Sequence, residues 1–340
     1  MRTLFMKNTP TALIISAIAV CFLCIHCHKV PFHHAKKQFF RMSTVVEVTV
    51  ATDRQEAELI PIWDSIDSLL AFWDAHYSQT GPCSDVRRLN ARTSPAVAVP
   101  RQLGRMLADA VAWGDTTHGM FDATILPVKE LWGLGEGNTV HQRPSDEALA
   151  AAVRKVDYRK VRISPGHDSM YCADPATTVD AGGFAKGYAL IETGKLLDSR
   201  GFCNYLVASG DIVARGKRSD GTPWRIGIQH PRAEKLLAVV PFDTGAVFTS
   251  GDYESFWMDG DRRIHHLFNP RTGRSCTNNQ SLTIESPSPV QAKYLATGLF
   301  CLPAESTLSF IERRGLNCIV VDSAGKVSVS RGWKNRVVFQ

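Results

Sequence analysis

The chain contains 340 residues, 44% of them hydrophobic, so it can bury a large core and fits about two units of ordinary domain size. Six of its 39 lysines and arginines, and none of its 33 acids, lie in the first 41 residues, so this segment accounts for the whole formal charge of +6. The rest of the chain is neutral, which argues against nucleic acid as a partner.

The N-terminal segment has the pattern of an export signal. An uncharged apolar run from about Ala12 to Ile25 follows a short basic start; it is too short for a comfortable membrane span and has the size of the apolar region of a signal peptide. Three cysteines lie near the end of this run, where a bacterial lipoprotein carries its acylated cysteine: Cys21, Cys24 and Cys27. None follows a good lipobox, so a signal peptide and an N-terminal anchor both remain open.

The leader sets the domain organisation. We assign residues 1–27 to a signal peptide or a membrane or lipid anchor, 28–41 to a basic tether, and 42–340 to one domain without repeats or linkers. The expected location is exported: the periplasm or the outer face of a bacterial inner membrane, with contact to the membrane through the N-terminus.

The cysteines of the predicted domain are scattered, which argues against a zinc site. They are Cys83, Cys172, Cys203, Cys276, Cys301 and Cys318. Export permits disulfides, but the sequence alone assigns no pairs. Apolar surroundings favour buried thiols at Cys203, Cys301 and Cys318.

Helical and strand patterns alternate along the domain. The strands are predicted at residues 43–52, 205–208, 237–248, 282–286 and 317–322. The helices are predicted at residues 57–76, 100–117, 290–302 and 304–314, with one more between the glycines near residue 183 and Gly201. Some strands follow each other directly and others are separated by helices. This pattern predicts an α+β fold with a mixed β-sheet core flanked by helices.

The segment DAGGFAKGY, from Asp180 to Tyr188, places an acid, two glycines and Lys186 at the opening of a predicted helix. Glycines let the backbone approach a ligand closely, and a helix N-terminus presents unpaired N–H groups to an anion. The segment therefore suits a phosphate-bearing ligand. A tight strand-to-helix connection is the alternative interpretation.

Five further segments accompany this motif in a fixed order. They are FDATILPVKELWGLG (121–135), SGD (209–211), TSGDY (249–253), HHLFNPRTG (265–273) and QAKYLATGLF (291–300). In order and spacing they resemble the FAD:protein FMN transferases, the ApbE-like flavin transferases. The resemblance extends from Met42 to about residue 322.

The resemblance implies a reaction and its ligands. The FMN half of FAD is transferred through a phosphoester bond to a threonine or serine hydroxyl of an exported acceptor protein, and AMP is released. FAD is the substrate, and Mg²⁺ normally lies at its diphosphate. A diphosphate needs charge neutralisation and a hydroxyl nucleophile needs a base, so these residue types suit the chemistry.

The resemblance also assigns residues. Flavin-binding positions are matched by Met42, Met120, Phe121, Asp122, Asp180, Lys186 and Leu267. Metal positions are matched by the Gly183 carbonyl and the Thr297 hydroxyl. His266 is the candidate for proton transfer from the acceptor hydroxyl, and Asp211 matches a recurring acid.

Each assignment has a structural alternative. Phe121 can be a core aromatic residue, and Asp122 and Asp180 can cap the helices that follow them. His265 and His266 would face opposite sides of a strand, so at most one of them would reach a given site.

Three positions depart from the family pattern. Lys293 stands where a metal-ligating aspartate is usual, Asn269 where an acid is common, and Thr80 where an aromatic residue is common. A protonated lysine has no lone pair and cannot ligate magnesium.

The departures leave several interpretations open. Lys293 can act as a built-in cation that contacts the diphosphate. Alternatively, Asp180 or Asp211 recruits magnesium, or the protein binds or scavenges FAD without transfer. Hydrolysis of FAD to FMN and AMP would use the same site.

Overall fold

The centre of the fold is an eight-stranded sheet in which every neighbouring pair of strands is antiparallel. The structure, a computed structural model, describes residues 32–138 and 140–340. The predicted leader and its three cysteines lie outside these residues. Within the described ranges, we find no helix with both the length and the apolar character needed to cross a membrane.

The strands form one large and three small sheets. They are β1 (His33–Arg41), β2 (Thr44–Thr52), β3 (Ala96–Ala98), β4 (Arg162–Ile163), β5 (Ser169–Tyr171), β6 (Tyr205–Ser209), β7 (Asp211–Arg215), β8 (Trp224–Gln229), β9 (Leu236–Phe242), β10 (Gly245–Gly251), β11 (Phe256–Asp259), β12 (Arg262–His265), β13 (Asn279–Ser286), β14 (Asn317–Asp322), β15 (Val327–Val329) and β16 (Val338–Phe339). The large sheet has the order β1-β2-β6-β7-β10-β13-β14-β15. The small sheets are β11-β12, β16-β9-β8 and β3-β5-β4.

Eight α-helices accompany the sheets in the described residues. They are α1 (Glu56–Tyr77), α2 (Asp85–Asn90), α3 (Arg101–Thr116), α4 (Leu126–Leu131), α5 (Asp146–Val153), α6 (Ala185–Ser199), α7 (Pro289–Gly298) and α8 (Ala304–Glu312). Helix α6 contacts both α1 and α7, and α7 lies against β10 and β13. The α+β class predicted from the sequence is confirmed.

The inner strands of the large sheet are buried on both faces; successive side chains of a strand point to opposite faces and so enter two different cores. In β14, Cys318 and Val320 join the core beneath the helices, whereas Ile319 and Val321 join a second core with the small sheet β16-β9-β8. A strand that is buried on both faces reads as a continuous apolar run. This explains why the sequence 317–322 shows no polar alternation.

Two predicted elements differ in the structure. Residues 237–248, predicted as one strand, form β9 and β10 in different sheets; the chain bends between them, and Gly245 takes a φ of 124° that favours glycine. Residues 33–41, predicted as part of a tether, form β1, which pairs with β2 along its whole length. Its lysines are those of a charged edge strand, a common protection against unwanted pairing.

The cysteine predictions need two corrections. Cys301 forms a disulfide with Cys276, which a sequence separation of 25 residues concealed. Cys203 is exposed, because it follows the end of α6 in a turn at the surface. Cys318 is a buried thiol, as predicted.

Candidate active site

Asp180 is a buried carboxylate held by three donors. Its oxygens accept hydrogen bonds from Lys129 Nζ at 2.6 Å, Gln79 Nε2 at 3.2 Å and the Gly182 N–H at 3.0 Å. It does not cap α6, since the residue at the N-cap position is Phe184. Asp180 therefore fixes the glycine turn that precedes the helix, and Lys129 of α4 supplies its countercharge.

The turn and the start of α6 form an open surface. A Cβ atom built on Gly183 would meet no other atom within 4 Å. Lys186 is the second residue of α6 and is half-buried; within the described residues it has no hydrogen bond and no close ion pair. A helix N-terminus, an accessible glycine backbone and an unpaired ammonium group are together suited to an anion.

A second lysine lies behind this surface. Lys293 Nζ of α7 lies 3.2 Å from Asp211 Oδ2 at the start of β7, and the two side chains are 14% and 11% exposed. The other oxygen of Asp211 accepts a hydrogen bond from the Thr249 N–H at 3.1 Å. Asp211 is thus already paired with a cation of the chain itself.

Glu254 follows the TSGDY segment and interacts electrostatically with this pair. The residue is exposed as a whole, but its carboxyl is crowded by protein, and this desolvation raises its pKa. Asp211 raises the pKa further, whereas Lys186 and Lys293 lower it. Helices α6 and α7, strand β7 and the segment after β10 therefore bring two ammonium groups and two carboxylates into one electrostatic cluster.

The two adjacent histidines have different environments. His265 is buried, and both ring nitrogens are engaged: Nε2 with the Cys276 carbonyl at 2.8 Å and Nδ1 with the Leu267 N–H at 3.2 Å. His266 uses Nδ1 towards the Ser255 carbonyl at 3.3 Å. Because a carbonyl only accepts, the proton is on Nδ1 of His266, and Nε2 retains a lone pair.

His266 is neutral at ordinary pH. His266 is half-buried by its accessible surface, but protein atoms crowd its ring, and this desolvation lowers its pKa to about 3; Lys129, His265 and Lys293 lower it further through charge, while the Ser255 carbonyl opposes them. Since Lys129 and Lys293 both act on this ring, His266 shares one electrostatic environment with the Asp180 and Asp211 pairs.

The segment 120–122 is buried beside the site. Phe121 contacts the Tyr294 ring of α7 edge to face, with ring centres 4.7 Å apart. Asp122 accepts hydrogen bonds from the Thr124 N–H at 2.8 Å and the Tyr158 N–H at 3.0 Å, and burial raises its pKa. Asp122 does not cap α4, because that helix begins at Leu126 and the residue at its N-cap position is Ile125. Asp122 thus joins two loops.

The remaining assigned flavin-binding positions are spread around these groups. Met120 and Leu267 are buried. Met42 forms the β1–β2 turn with a φ of 55° and packs against the main core. This positive φ is uncommon for a residue other than glycine.

The side chains of Thr80 and Asn269 have local partners. The Thr80 hydroxyl donates to Glu136 at 3.2 Å, and Asn269 accepts from the Arg271 N–H at 2.9 Å within a tight turn. Both side chains are thus engaged in local structure.

The residues present do not fit a resident magnesium ion. Within residues 32–138 and 140–340, no group of three or more His, Cys, Asp or Glu side chains could hold a metal. Gly183 and Thr297 offer a carbonyl and a hydroxyl, but Asp180 and Asp211 are each paired with a lysine. Mg²⁺ is usually held by one or two carboxylates together with water and phosphate oxygens, and both of these carboxylates already have a lysine as partner.

Comparison with known proteins identifies the class. Residues 42–320 match the profile of the ApbE family. The chain is 30% identical over 236 residues to a FAD:protein FMN transferase of Escherichia coli, covering 66% of this chain and 67% of that protein. A FAD:protein FMN transferase of Klebsiella pneumoniae is 27% identical over 300 residues, covering 85% and 82% of the two chains.

Solved structures agree with the sequence comparison. An ApbE protein of Thermotoga maritima superposes with a TM-score of 0.83 at 25% identity, covering 89% of this chain and 99% of that chain. The flavin transferase ApbE of Vibrio cholerae gives a TM-score of 0.81 at 27% identity, covering 90% and 100%. The fold and the order of the motifs are those of the flavin transferases. This chain belongs to the ApbE family.

Sequence reasoning missed Lys129 and Glu254. Lys129 lies within the 121–135 segment in the short helix LPVKEL, whose other residues except Glu130 are apolar, and this was a usable signal of a buried partner. Glu254 directly follows TSGDY, but its proximity to Lys186 and Lys293 depends on long-range packing.

Proposed function

We propose that this protein transfers the FMN half of FAD to a threonine or serine hydroxyl of an acceptor protein and releases AMP. One observation carries the proposal: the Asp180–Lys129 pair fixes an open glycine turn at the N-terminus of α6, where Lys186 has no close ion-pair partner among residues 32–138 and 140–340. Relatives that cover most of the chain are named for this activity.

The site is built for an anion that carries a large apolar group. Lys186 and the α6 N-terminus supply positive charge at the turn, where Phe184 belongs to the main apolar core; Met120 and Phe121 belong to the same core, and Met42 packs against it. A flavin dinucleotide has this combination, because an isoalloxazine ring is attached to a diphosphate. FAD is the ligand that these two features favour together.

The reaction exchanges one phosphoester bond for another. The acceptor oxygen attacks the phosphorus on the FMN side of FAD, and a new P–O bond forms. The bond from that phosphorus to the bridging oxygen breaks, and its electron pair leaves with AMP. No oxidant or reductant is needed, and the flavin ring is unchanged.

His266 is the proposed proton acceptor for the attacking hydroxyl. Its Nε2 lone pair is available because Nδ1 is engaged with Ser255. Desolvation, with a smaller contribution from the charges of Lys129 and Lys293, keeps its pKa low in the ligand-free protein. A bound diphosphate brings negative charge, which raises the pKa of a neighbouring histidine and improves it as a base.

The acceptor and the location form part of the proposal. The apolar run 12–25 and the basic residues around it support export, with the N-terminus as a membrane or lipid anchor. The acceptor is then an exported protein that presents a threonine or serine at the membrane surface or in the periplasm.

The test uses a strain of the source bacterium from which this gene has been deleted. Its exported proteins are incubated with FAD and the purified protein, separated in a denaturing gel and examined for covalent flavin fluorescence. We expect a fluorescent band whose peptides carry FMN on threonine or serine. Unlabelled acceptors in the presence of bound, intact FAD would refute the proposal.

A further inference from the structure

Lys293 is positioned to serve as a fixed cation of the site. Its side chain extends from α7 to β7, where Nζ lies 3.2 Å from Asp211 and 5.8 Å from the centre of the Phe248 ring. An ammonium group has three donors, and Asp211 accounts for one of them. Two donors remain for other acceptors.

The stem of Lys293 is held against α6. A Cβ atom built on Gly187 would lie 3.0 Å from Cδ and 3.1 Å from Cγ of Lys293, and 3.1 Å from the Phe248 ring. Any larger residue at position 187 would push the lysine away, so the glycine permits this approach. Because Gly187 follows Lys186, the packed stem keeps Lys293 close to the N-terminal turn of α6.

Lys293 belongs to a cluster of charges of both signs. Glu254 interacts with Lys293, Lys186 and Asp211, so the cluster holds two cations and two carboxylates before any ligand binds. Thr297 lies one helical turn after Lys293 on α7 and has no side-chain hydrogen bond within the described residues. Lys293 and Thr297 thus lie on one face of α7, four residues apart.

We propose that the Lys293 ammonium group is the built-in countercharge for the diphosphate of FAD, and that FMN transfer by this protein requires no divalent metal. The inference rests on the proposed function and adds the identity of its cation. Lys293 donates to a diphosphate oxygen and stabilises the charge that develops on the bridging oxygen as AMP leaves. Asp211 holds the ammonium in place, and Glu254 acts on Lys186 and Lys293 only through charge, with no ion pair at contact distance within the described residues.

The central experiment measures transfer with EDTA or with Mg²⁺. The purified protein, FAD and the exported fraction of the deletion strain are incubated, and AMP release and covalent flavin are quantified together. Equal initial rates in EDTA and in Mg²⁺ are expected. Mg²⁺-dependent transfer would overturn the inference while leaving the proposed function intact, and absence of transfer in both conditions would overturn both.

Substitutions locate the effect. Lys293→Met keeps much of the stem but removes the charge, and we expect transfer to fall about 100-fold, as for loss of one preorganised donor at a developing charge. Lys160→Met is the matched control, because Lys160 Nζ also pairs with an aspartate, Asp174, at 3.1 Å but lies outside the site. The control should transfer FMN at the rate of the unchanged protein.

Two binding measurements separate a catalytic loss from misfolding. Circular dichroism and FAD titration by flavin fluorescence show whether Lys293→Met folds and how far its affinity for FAD falls; a weakened but measurable affinity is expected. Calorimetric titration with Mg²⁺ alone should give no binding heat in the unchanged protein. Tight Mg²⁺ binding, or transfer by folded Lys293→Met at the unchanged rate in EDTA, would contradict the inference.

Discussion

The Lys129 ammonium lies 2.6 Å from the Asp180 carboxylate, joining α4 to the turn before α6 across 51 positions of sequence. Asp180 is 4% exposed and Lys129 15% exposed at the side chain, so the pair is almost withdrawn from water. Removal of one partner from a buried pair leaves an uncompensated charge, which costs more than loss of an exposed pair.

We therefore expect Lys129→Met to reduce the free energy of unfolding by about 3 kcal/mol and to weaken FAD binding. Lys160→Met should cost less than about 1 kcal/mol, because its partner Asp174 is 40% exposed. Urea unfolding of both variants gives the comparison. Similar losses in the two would mean that the Asp180–Lys129 pair has no special role in fixing the turn.

Gly183→Ala tests whether the open glycine surface belongs to the ligand. Since the added methyl meets no atom within 4 Å, the change in unfolding free energy should stay within about 1 kcal/mol. If the diphosphate occupies this space, FAD affinity should fall at least about tenfold, which corresponds to about 1.4 kcal/mol. Fluorescence titration measures the affinity. Unaltered FAD binding by the stable variant would place the diphosphate elsewhere.

His266 predicts a specific dependence of stability on pH. Its pKa is lowered from 6.5 to about 3 in the folded chain, so between these pH values the unfolded state binds more protons. The histidine therefore contributes its full stability above pH 6.5 and loses it as the pH falls towards 3. His266→Gln should show a shallower loss of unfolding free energy between pH 7 and pH 4.5. Parallel curves would show that His266 does not carry the shift.

The Cys276–Cys301 disulfide predicts a redox-sensitive stability. Opening a loop of 25 residues should cost about 3 kcal/mol, because the unfolded chain gains freedom. The double variant Cys276→Ser, Cys301→Ser should unfold at lower denaturant, while the exposed Cys203→Ser should change stability by about 0.5 kcal/mol or less. If dithiothreitol leaves the unfolding midpoint unchanged, this bond does not stabilise the protein.

Much of the fold was predictable because its elements have local signals. The helical spacing of apolar residues identified α1 and α3 to within one residue at each end, and the glycine before α6 and after it marked that helix. The division of residues 237–248 was missed because two buried strands on either side of a short turn form one apolar pattern. The pairing of β1 with β2 was missed because a polar edge strand resembles a charged tether.

The site was predictable only in part, since its motifs are local and its pairings are not. The sequence identified Asp180, Lys186, Asp211 and Lys293 as a set, but not which lysine neutralises which acid. Those pairings depend on the antiparallel order of β7 and β10 and on the packing of α6 against α7. The Cys276–Cys301 bond depends on the same tertiary arrangement.

The most direct test of the account is the intact mass of an acceptor after reaction with FAD, measured with AMP release in one sample. The acceptor identified by flavin labelling is purified from the deletion strain, in which it carries no flavin. The account predicts that the acceptor mass increases by one FMN unit and that one AMP is released for each acceptor modified. AMP and free FMN without acceptor modification would show hydrolysis, and intact bound FAD would show binding alone; either result would contradict the transferase.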